Sequence, residues 1–292
     1  MTIPFYQVDV FTDRIFGGNP LAVFTEGQKF AEEDLIKVAR EMNLSETTFV
    51  YPFNQDEADF DVRIFTPTQE IPFAGHPILG TTHVLREKQL ISPHKNPIRL
   101  NLKAGIISVW REEDKDFMEH PNAQTLHHLR PSDNIFKALG ITSECIDNNF
   151  PLQVVSTGFP ALIIAVNSLS NLNRIKVNKE MLHQVLSPLE IDMIYPFCCE
   201  TLNKNHTVQS RAFAPGLGIP EDPATGSVAG AMGAYWANLT NKQDIKMVIE
   251  QGYAMQRPSL ITVEIKKKGN KIQKIRVGGR TKNVFCAQMD KA

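Results

Sequence analysis

The sequence predicts an α/β protein built from two similar domains, each with a buried helix at its centre. Two stretches of the chain match one another, RIFTPTQEIPFAGHPILGTTHVL from Arg63 to Leu85 and RAFAPGLGIPEDPATGSVAGAMGAYW from Arg211 to Trp236. When Arg63 is aligned with Arg211, Phe65 meets Phe213, and each stretch continues into a run of small residues. A chain of 292 residues is long enough for two hydrophobic cores. The matching halves therefore favour two domains over one.

Each matching stretch is interpreted as a short strand, a proline-rich turn and a helix that begins near His76 or Thr225. Pro77 suits the first helical position. Both helices carry small or apolar residues on nearly every face as far as Arg86 and Asn238. A helix without a polar face must be enclosed by protein, so we expect each helix to lie inside a sheet. A buried helix start presents unpaired N–H groups and a partial positive charge, so two such starts could hold one anion.

The first half of the chain begins with alternating strands and an amphipathic helix. A turn at Gly17-Gly18-Asn19-Pro20 separates a strand at 5–11 from an apolar strand at 21–24. Apolar residues recur at helical spacing over 31–42, and acidic residues occupy the first turn, where the helix dipole favours them. A β-rich run follows this helix. Glu46 therefore lies at a junction between helix and strand.

The second half of the chain resembles the first in its order of elements. Residues 98–110 form two predicted strands, and 122–149 is a polar stretch with a short helix at 132–139, which we interpret as a linker zone. The apolar run at 151–166 then repeats the opening strands. The predicted domains are residues 1–118, to which a final strand at 283–288 returns, and residues 122–277.

Composition indicates a small-molecule partner. Lys and Arg number 31 against 32 for Asp and Glu, so no charge excess favours nucleic acid or an anionic membrane surface. No window approaches the ~18 apolar residues of a membrane span, and the N-terminus does not resemble a secretory signal. The four Cys form no CxxC pattern, which fits a reducing compartment. We therefore expect a cytoplasmic protein.

Several motifs of cofactor and metal enzymes are missing from the sequence. PGLGIPED lacks the third glycine of a dinucleotide fingerprint, and no GK[ST] phosphate loop occurs. The histidines show neither HExxH nor a Cys/His metal spacing, and Gly226-Ser227 does not fit GxSxG. The sequence therefore predicts no nucleotide cofactor and no metal, and acid/base chemistry remains.

Four polar residues are candidates for that chemistry, and each also has a purely structural interpretation. Glu46 could transfer protons, or it could cap a helix or form a surface ion pair. His76 at a buried helix start could hydrogen-bond a substrate as a neutral imidazole, or it could be a structural histidine. Asp222 could face a substrate or cap the helix after it, and Ser227 could bind an anion or permit close packing. Symmetric halves would place His76 and Asp222 on opposite walls of one cleft, the usual kind of ligand site.

Three separated motifs of this chain resemble the PhzF phenazine-biosynthesis family: REMNLSETTFV at 40–50, RIFTPTQEIPFAGHPILGT at 63–81 and IPEDPATGSVAG at 219–230. The opening DVFTDRIFGGNPLAVF fits as well, so the resemblance covers nearly the whole chain. It implies the diaminopimelate-epimerase-like fold. In that fold, two pseudo-symmetric α/β (α+β) domains each wrap a curved, barrel-like mixed sheet around a central helix, with the active site between them.

The resemblance also implies roles for particular residues. Racemases and epimerases of this fold use a cysteine at each central helix start, whereas this chain has His76 and Asp222 in the matching segments, so a two-cysteine mechanism is excluded. The resemblance implies that Glu46 transfers the proton and that His76 and Asp222 orient or polarise the substrate. It further implies a homodimer without a cofactor. The anion contacts that it implies are Ser45, Gly75, Gly226 and Ser227.

Three functions remain open at this point. The first is a cofactor-independent isomerase that moves a proton on a small carboxylate, which is cyclic in the name-giving member of the family. The second is an epimerase or racemase that uses Glu46 with a second base. The third is a non-catalytic protein that binds a small molecule or a partner protein. The first two differ in whether a double bond moves or a stereocentre inverts, and the third predicts no exchange of substrate protons with solvent.

Overall fold

The computed structural model describes residues 2–53 and 56–290. Most of this part of the chain is sheet. The strands are β1 (Thr2–Val10), β2 (Asn19–Phe24), β3 (Glu46–Pro52), β4 (Phe60–Phe65), β5 (Glu70–Ile71), β6 (Ile98–Leu102), β7 (Gly105–Glu112), β8 (Lys115–Glu119), β9 (Gln124–Leu129), β10 (Leu152–Ser156), β11 (Pro160–Ala165), β12 (Ile194–Cys198), β13 (Val208–Ser210), β14 (Asp244–Gln251), β15 (Ser259–Lys268), β16 (Lys271–Gly279) and β17 (Thr281–Asp290). The α-helices are α1 (Glu32–Met42), α2 (Gly75–Glu87), α3 (Asp133–Leu139), α4 (Leu169–Arg174), α5 (Lys179–Leu186) and α6 (Gly226–Asn238).

The chain forms two compact units. One comprises the described residues up to Glu119 together with those from Gly278 onward, and the other runs from His120 to Val277. Strand β17 therefore belongs to the first unit, where it pairs antiparallel with β1 from Thr2 opposite Asp290 to Val10 opposite Thr281. The first unit thus contains both ends of the described chain.

The first unit is a mixed sheet whose strands lie in the order β17-β1-β2-β3-β4-β6-β7-β8. The pairs β2/β3 and β4/β6 are parallel, and the other neighbouring pairs are antiparallel. Helix α2 packs against β1, β2, β3, β7, β8 and β17, so strands from most of the sheet surround it. Helix α1 buries only Leu35, Val38 and Ala39, and it packs on β3 and β4 as an outer helix.

Helix α2 is buried from Gly75 to Leu85. Its predicted enclosure follows from its sequence, because no face of the helix is polar enough to lie in water. The approach to the sheet is close at Gly80, where a Cβ atom would lie 2.6 Å from Leu21 Cδ2 and 2.8 Å from Val10 Cγ2. The small residue therefore lets the helix pack directly on β1 and β2.

The second unit is a mixed sheet in the order β9-β10-β11-β12-β13-β14-β15, and β16 follows β15 after a two-residue turn. From β10 to β15 the strand directions follow the same succession as from β1 to β7 in the first unit, with parallel pairs β11/β12 and β13/β14. Helix α6 packs against β10, β11, β14 and β15. Neither central helix, nor any other helix in the described part of the chain, is long and apolar enough to cross a bilayer.

The linker zone predicted at 122–149 is wrong, because this segment is part of the second unit's sheet and core. Strand β9 pairs antiparallel with β10, and Ile135, Phe136 and Leu139 of α3 lie in the core. The side chains of β9 are largely exposed, so its composition is that of a loop although its backbone is paired. Helices α4 and α5, which lie between β11 and β12, were not predicted.

The two arginines that begin the matching stretches have the same local role in their own units. Arg63 and Arg211 each stack over the Phe ring two residues later, at 5.1 Å and 4.8 Å from the ring centroid. Each also makes a two-point ion pair, Arg63 with Glu70 at 2.9 Å and Arg211 with Glu221 at 2.8 Å. Arg211 thereby fixes the residue that precedes Asp222.

Candidate active site

In the first unit, the structure brings Glu46 and His76 together. Glu46 is the first residue of β3, beside Leu21 of the parallel strand β2, and His76 is the second residue of α2. The distance between His76 Nε2 and Glu46 Oε2 is 3.2 Å. The two residues are 5% and 8% exposed, so the pair lies almost entirely out of solvent. The carboxyl group and the imidazole are therefore within ion-pair distance in a buried setting.

The orientation of the His76 ring follows from its hydrogen bonds. The ring hydrogen-bonds the backbone carbonyl of Pro20. Nε2 makes no hydrogen bond to the described residues, so the donor to Pro20 is Nδ1–H. Burial lowers the pKa of His76 from 6.5 to about 3, because the imidazolium would lose its hydration. The neutral ring then presents a lone pair at Nε2, 3.2 Å from Glu46 Oε2.

The lowered pKa of His76 predicts a pH dependence of stability. The unfolded chain takes up a proton at His76 near pH 6.5, whereas the folded chain does so only near pH 3, so the folded state loses stability as the pH falls through this window. The expected slope of the free energy of unfolding is ~1.4 kcal/mol per pH unit for one proton.

Urea unfolding of wild type and His76→Asn at several pH values measures this difference in slope. His183→Asn, at an exposed histidine of α5, is the control. Parallel curves for wild type and His76→Asn would contradict the prediction.

The turn before β2 supports the same pair. Ser45 Oγ donates to Asn19 Oδ1 at 3.1 Å, and Asn19 is fully buried. Asn19 immediately precedes Pro20, whose carbonyl orients His76. Gly18 adopts φ +63°, and a Cβ atom there would clash with the carbonyl oxygen of Val10, so only glycine fits this turn. The turn was predicted from the sequence but the role of Asn19 was not, and the Gly-Gly-Asn-Pro run was the available signal.

The start of α2 leaves backbone donors without acceptors. Ala74 precedes the helix in extended conformation and provides no side-chain cap. Among the described residues, the N–H groups of Gly75 and His76 have no hydrogen-bond acceptor. Uncapped N–H groups at a helix start can bind an anion, which is the role predicted for Gly75. The structure thus places Ser45, Glu46, Gly75 and His76 near one another.

In the second unit, Asp222 lies in the loop before α6 and is 7% exposed. Its backbone N–H donates to the carbonyl of Ala212 at 3.0 Å. Its carboxylate accepts from Thr225 Oγ1 at 2.5 Å, and Thr225 is the N-cap residue of α6. Asp222 thus lies three residues before the N-cap residue and contacts the helix start through the Thr225 hydroxyl.

Gly226 and Ser227 are the first two residues of α6. Gly226 is buried and Ser227 is half-buried. The N–H groups of these two residues also lack a hydrogen-bond acceptor among the described residues. The Ser227 carbonyl accepts from Thr157 Oγ1 at 3.4 Å, which ties this turn to the end of β10. The second unit thus holds an acidic side chain, Asp222, next to free backbone donors.

The described residues contain no group of three or more His, Cys, Asp or Glu side chains arranged to hold a metal ion. The predicted site residues form one set in each unit. The first unit has the Glu46–His76 pair with Ser45 and Gly75, and the second has Asp222 with Gly226 and Ser227. The roles assigned to them stay predictions.

The sequence and structure match known proteins over nearly their whole length. A family model described as phenazine biosynthesis-like protein, PhzC-PhzF, matches residues 8–287. The trans-2,3-dihydro-3-hydroxyanthranilate isomerase of Pseudomonas aeruginosa is 30% identical over 280 residues, which are 93% of this chain and 94% of that protein. The crystal structure of the Bacillus anthracis phenazine biosynthesis protein of the PhzF family superposes with a TM-score of 0.92 at 27% identity and covers 100% of both chains.

A more distant structure has the same fold. The hydroxyproline epimerase from Agrobacterium vitis superposes with a TM-score of 0.64 at 11% identity, over 98% of this chain and 92% of that chain. At this identity the match concerns the fold alone. Together the two structures confirm the predicted fold class, in which each half of the chain carries a mixed sheet around a central helix.

Proposed function

The chain belongs to the PhzC-PhzF family of phenazine biosynthesis-like proteins, and from this premise we propose that it is an isomerase that moves a proton on a small carboxylate without a cofactor. The family resemblance predicted from the three sequence motifs is thereby confirmed. The observation that carries the proposal is the buried Glu46–His76 pair, in which His76 Nε2 and Glu46 Oε2 lie 3.2 Å apart.

In the proposed reaction, the carboxylate of Glu46 takes a proton from a carbon of the substrate and returns it to another carbon. The electron pair released by the first step shifts the double bond, and the second step consumes it, so the reaction needs neither an oxidant nor a reductant. General acid/base catalysis of this kind contributes ~10²–10⁴-fold to a rate. The lone pair at His76 Nε2 can accept a hydrogen bond from the protonated Glu46 and so hold the carboxyl in one orientation.

The start of a buried central helix is proposed to bind the carboxylate of the substrate. In the first unit, the N–H groups of Gly75 and His76 have no acceptor among the described residues, and in the second unit the same holds for Gly226 and Ser227, so either helix start offers hydrogen bonds to an anion without a Lys or Arg in its segment. Asp222, beside the helix start of the second unit, offers a hydrogen-bond acceptor, which suits an amino or hydroxyl substituent on a molecule bound there. The substrate named for the Pseudomonas aeruginosa relative carries all three kinds of group.

A screen for proton exchange with solvent tests this proposal, because exchange can be detected whatever product is formed. Trans-2,3-dihydro-3-hydroxyanthranilate and other cyclic unsaturated carboxylates are incubated with the protein in D₂O and followed by mass spectrometry. The proposal predicts that at least one of them gains a deuterium on carbon together with a shifted double bond. Deuterium gain with inversion of a stereocentre would instead support the epimerase, and binding without exchange across the panel would support the non-catalytic binder.

We also propose the homodimer that the family resemblance implies. Multi-angle light scattering at several protein concentrations should give twice the mass of one chain. A monomer mass at all concentrations would contradict this part of the proposal.

A further inference from the structure

A buried amide side chain holds the loop and the first turn of α6. Gln251, the last residue of β14, is fully buried. Its Nε2 donates to the Asp222 carbonyl and to Thr225 Oγ1, both at 2.8 Å. Its Oε1 accepts from the Thr225 backbone N–H at 3.2 Å and from the Tyr195 hydroxyl at 3.1 Å. Both donors of the amide and both acceptor positions of its oxygen are therefore used.

The partners of Gln251 allow only one orientation of the amide. The Asp222 carbonyl can only accept a hydrogen bond, and the Thr225 N–H can only donate one, so exchanging Oε1 and Nε2 would break both contacts. The Tyr195 hydroxyl in turn accepts from Ser210 Oγ at 2.8 Å. Burial raises the pKa of Tyr195, so its hydroxyl keeps the proton that it donates. The hydrogen bond from the Tyr195 hydroxyl therefore also requires the oxygen, and not the nitrogen, of the Gln251 amide at this position.

This orientation of the Gln251 amide favours one direction for the hydroxyl proton of Thr225. Thr225 Oγ1 accepts from Gln251 Nε2, so the single hydroxyl proton of Thr225 is directed to Asp222 Oδ2, 2.5 Å away. The carboxylate of Asp222 is thus held as an acceptor at this contact. Since the Thr225 N–H is taken up by Gln251, the first free N–H groups of α6 are those of Gly226 and Ser227.

We infer that Gln251 is a positioning residue of the candidate site: through Thr225, it orients the Asp222 carboxylate and the first turn of α6 toward the substrate. The inference rests on the proposed function, since it assigns Asp222 and the helix start to substrate binding. Gln251 itself is fully buried and acts only through its hydrogen bonds. Two of its four hydrogen bonds go to Thr225 and one goes directly to the Asp222 carbonyl, so the coupling between Gln251 and Thr225 can be measured.

A double-mutant cycle measures the coupling between Gln251 and Thr225. Gln251→Met keeps the length of the side chain and removes its hydrogen bonds, and Thr225→Val removes the hydroxyl at nearly constant size. We expect each single change to lower the affinity for 2-aminobenzoate and the exchange kcat by ~10-fold, within the range of coupled neighbours. The double variant should lose little more than either single variant. Isothermal titration calorimetry and the D₂O exchange assay provide the two readouts.

Gln209→Met is the matched control. Gln209 is also buried, lies in β13 of the same sheet, and has an Oε1 without a hydrogen bond to the described residues. The same substitution there removes an amide that holds no part of the α6 start, so affinity and kcat should stay at the wild-type level. If Gln251→Met does not fold, Thr225→Val alone should still reproduce the loss.

The outcomes separate this inference from the proposed function. If the double variant lost affinity and kcat by the product of the two single-variant factors, the positioning role of Gln251 would be overturned. A loss in Gln209→Met equal to that in Gln251→Met would overturn it as well. If the wild type exchanges no substrate proton but the coupling in 2-aminobenzoate affinity persists, the proposed function fails and the inference stands. If the wild type does not bind 2-aminobenzoate and exchanges no proton, both fail. Unchanged affinity and kcat in Thr225→Val would also overturn the inference.

Discussion

Glu46→Gln is expected to lower kcat for isomerisation by ~10²-fold or more, the usual effect of removing a positioned acid/base group. The amide has nearly the shape of the carboxyl and can still lie 3.2 Å from His76 Nε2. It cannot take a proton from carbon at neutral pH, so proton transfer stops while the substrate still binds. Steady-state kinetics on a substrate found in the D₂O screen, with calorimetry for binding, separate the two effects.

Two further variants define the role of Glu46. Glu41→Gln makes the same change at an exposed residue of α1 and should leave kcat unchanged. His76→Ala should lower kcat less than Glu46→Gln and should also weaken substrate binding, because the lone pair and the ring that orient the carboxyl are lost together. If Glu46→Gln kept the full rate, Glu46 would not be the base and His76 would become the leading candidate.

Gly252→Ala is expected to destabilise the protein by roughly 3 kcal/mol, of which about 1 comes from the left-handed backbone and about 2 from overpacking. Gly252 adopts φ +77°. A Cβ atom there would lie 2.5 Å from the Pro223 carbonyl oxygen and would also clash with the Arg257 carbonyl oxygen. Both neighbours are backbone atoms, which cannot rotate away. The loop that carries Asp222 must therefore shift or the fold must loosen.

Gly218→Ala separates the two contributions. Gly218 has the same φ of +77°, but a Cβ atom there would meet nothing within 4 Å. Urea unfolding should show a loss of only about 1 kcal/mol for this control, which reports the backbone conformation alone. Equal losses in the two variants would show that crowding at Pro223 and Arg257 contributes nothing.

The sequence predicted the parts of the fold that local patterns encode. Helices α2 and α6 were predicted as enclosed because their runs of small and apolar residues leave no polar face, and the structure buries both. Strand β9 could not be found in this way, because its exposed polar side chains resemble those of a loop and only its backbone pairing with β10 makes it a strand. Backbone pairing with a strand farther along the chain does not by itself impose an alternation of polar and apolar residues on the sequence.

The candidate site was predictable to a similar extent. Glu46 and His76 could be identified from their places at a strand start and a buried helix start, and the structure places them 3.2 Å apart. Asn19 and Gln251 were missed, because each acts through residues far along the chain: Gln251 bonds Thr225, 26 residues earlier. A single Gln in a strand leaves no recognisable pattern in the sequence, so the hydrogen bonds of Gln251 to Thr225 become apparent only in the three-dimensional structure.

The most direct test of proton transfer by Glu46 follows deuterium into the substrate. A substrate accepted in the screen is incubated in D₂O with equal amounts of wild type and Glu46→Gln, and NMR measures the label at each carbon over time. Wild type should place deuterium on the carbon that gains the proton, and Glu46→Gln should incorporate it at least ~10²-fold more slowly. Incorporation at the same carbon and the same rate by both proteins would contradict the proposal that Glu46 moves the proton.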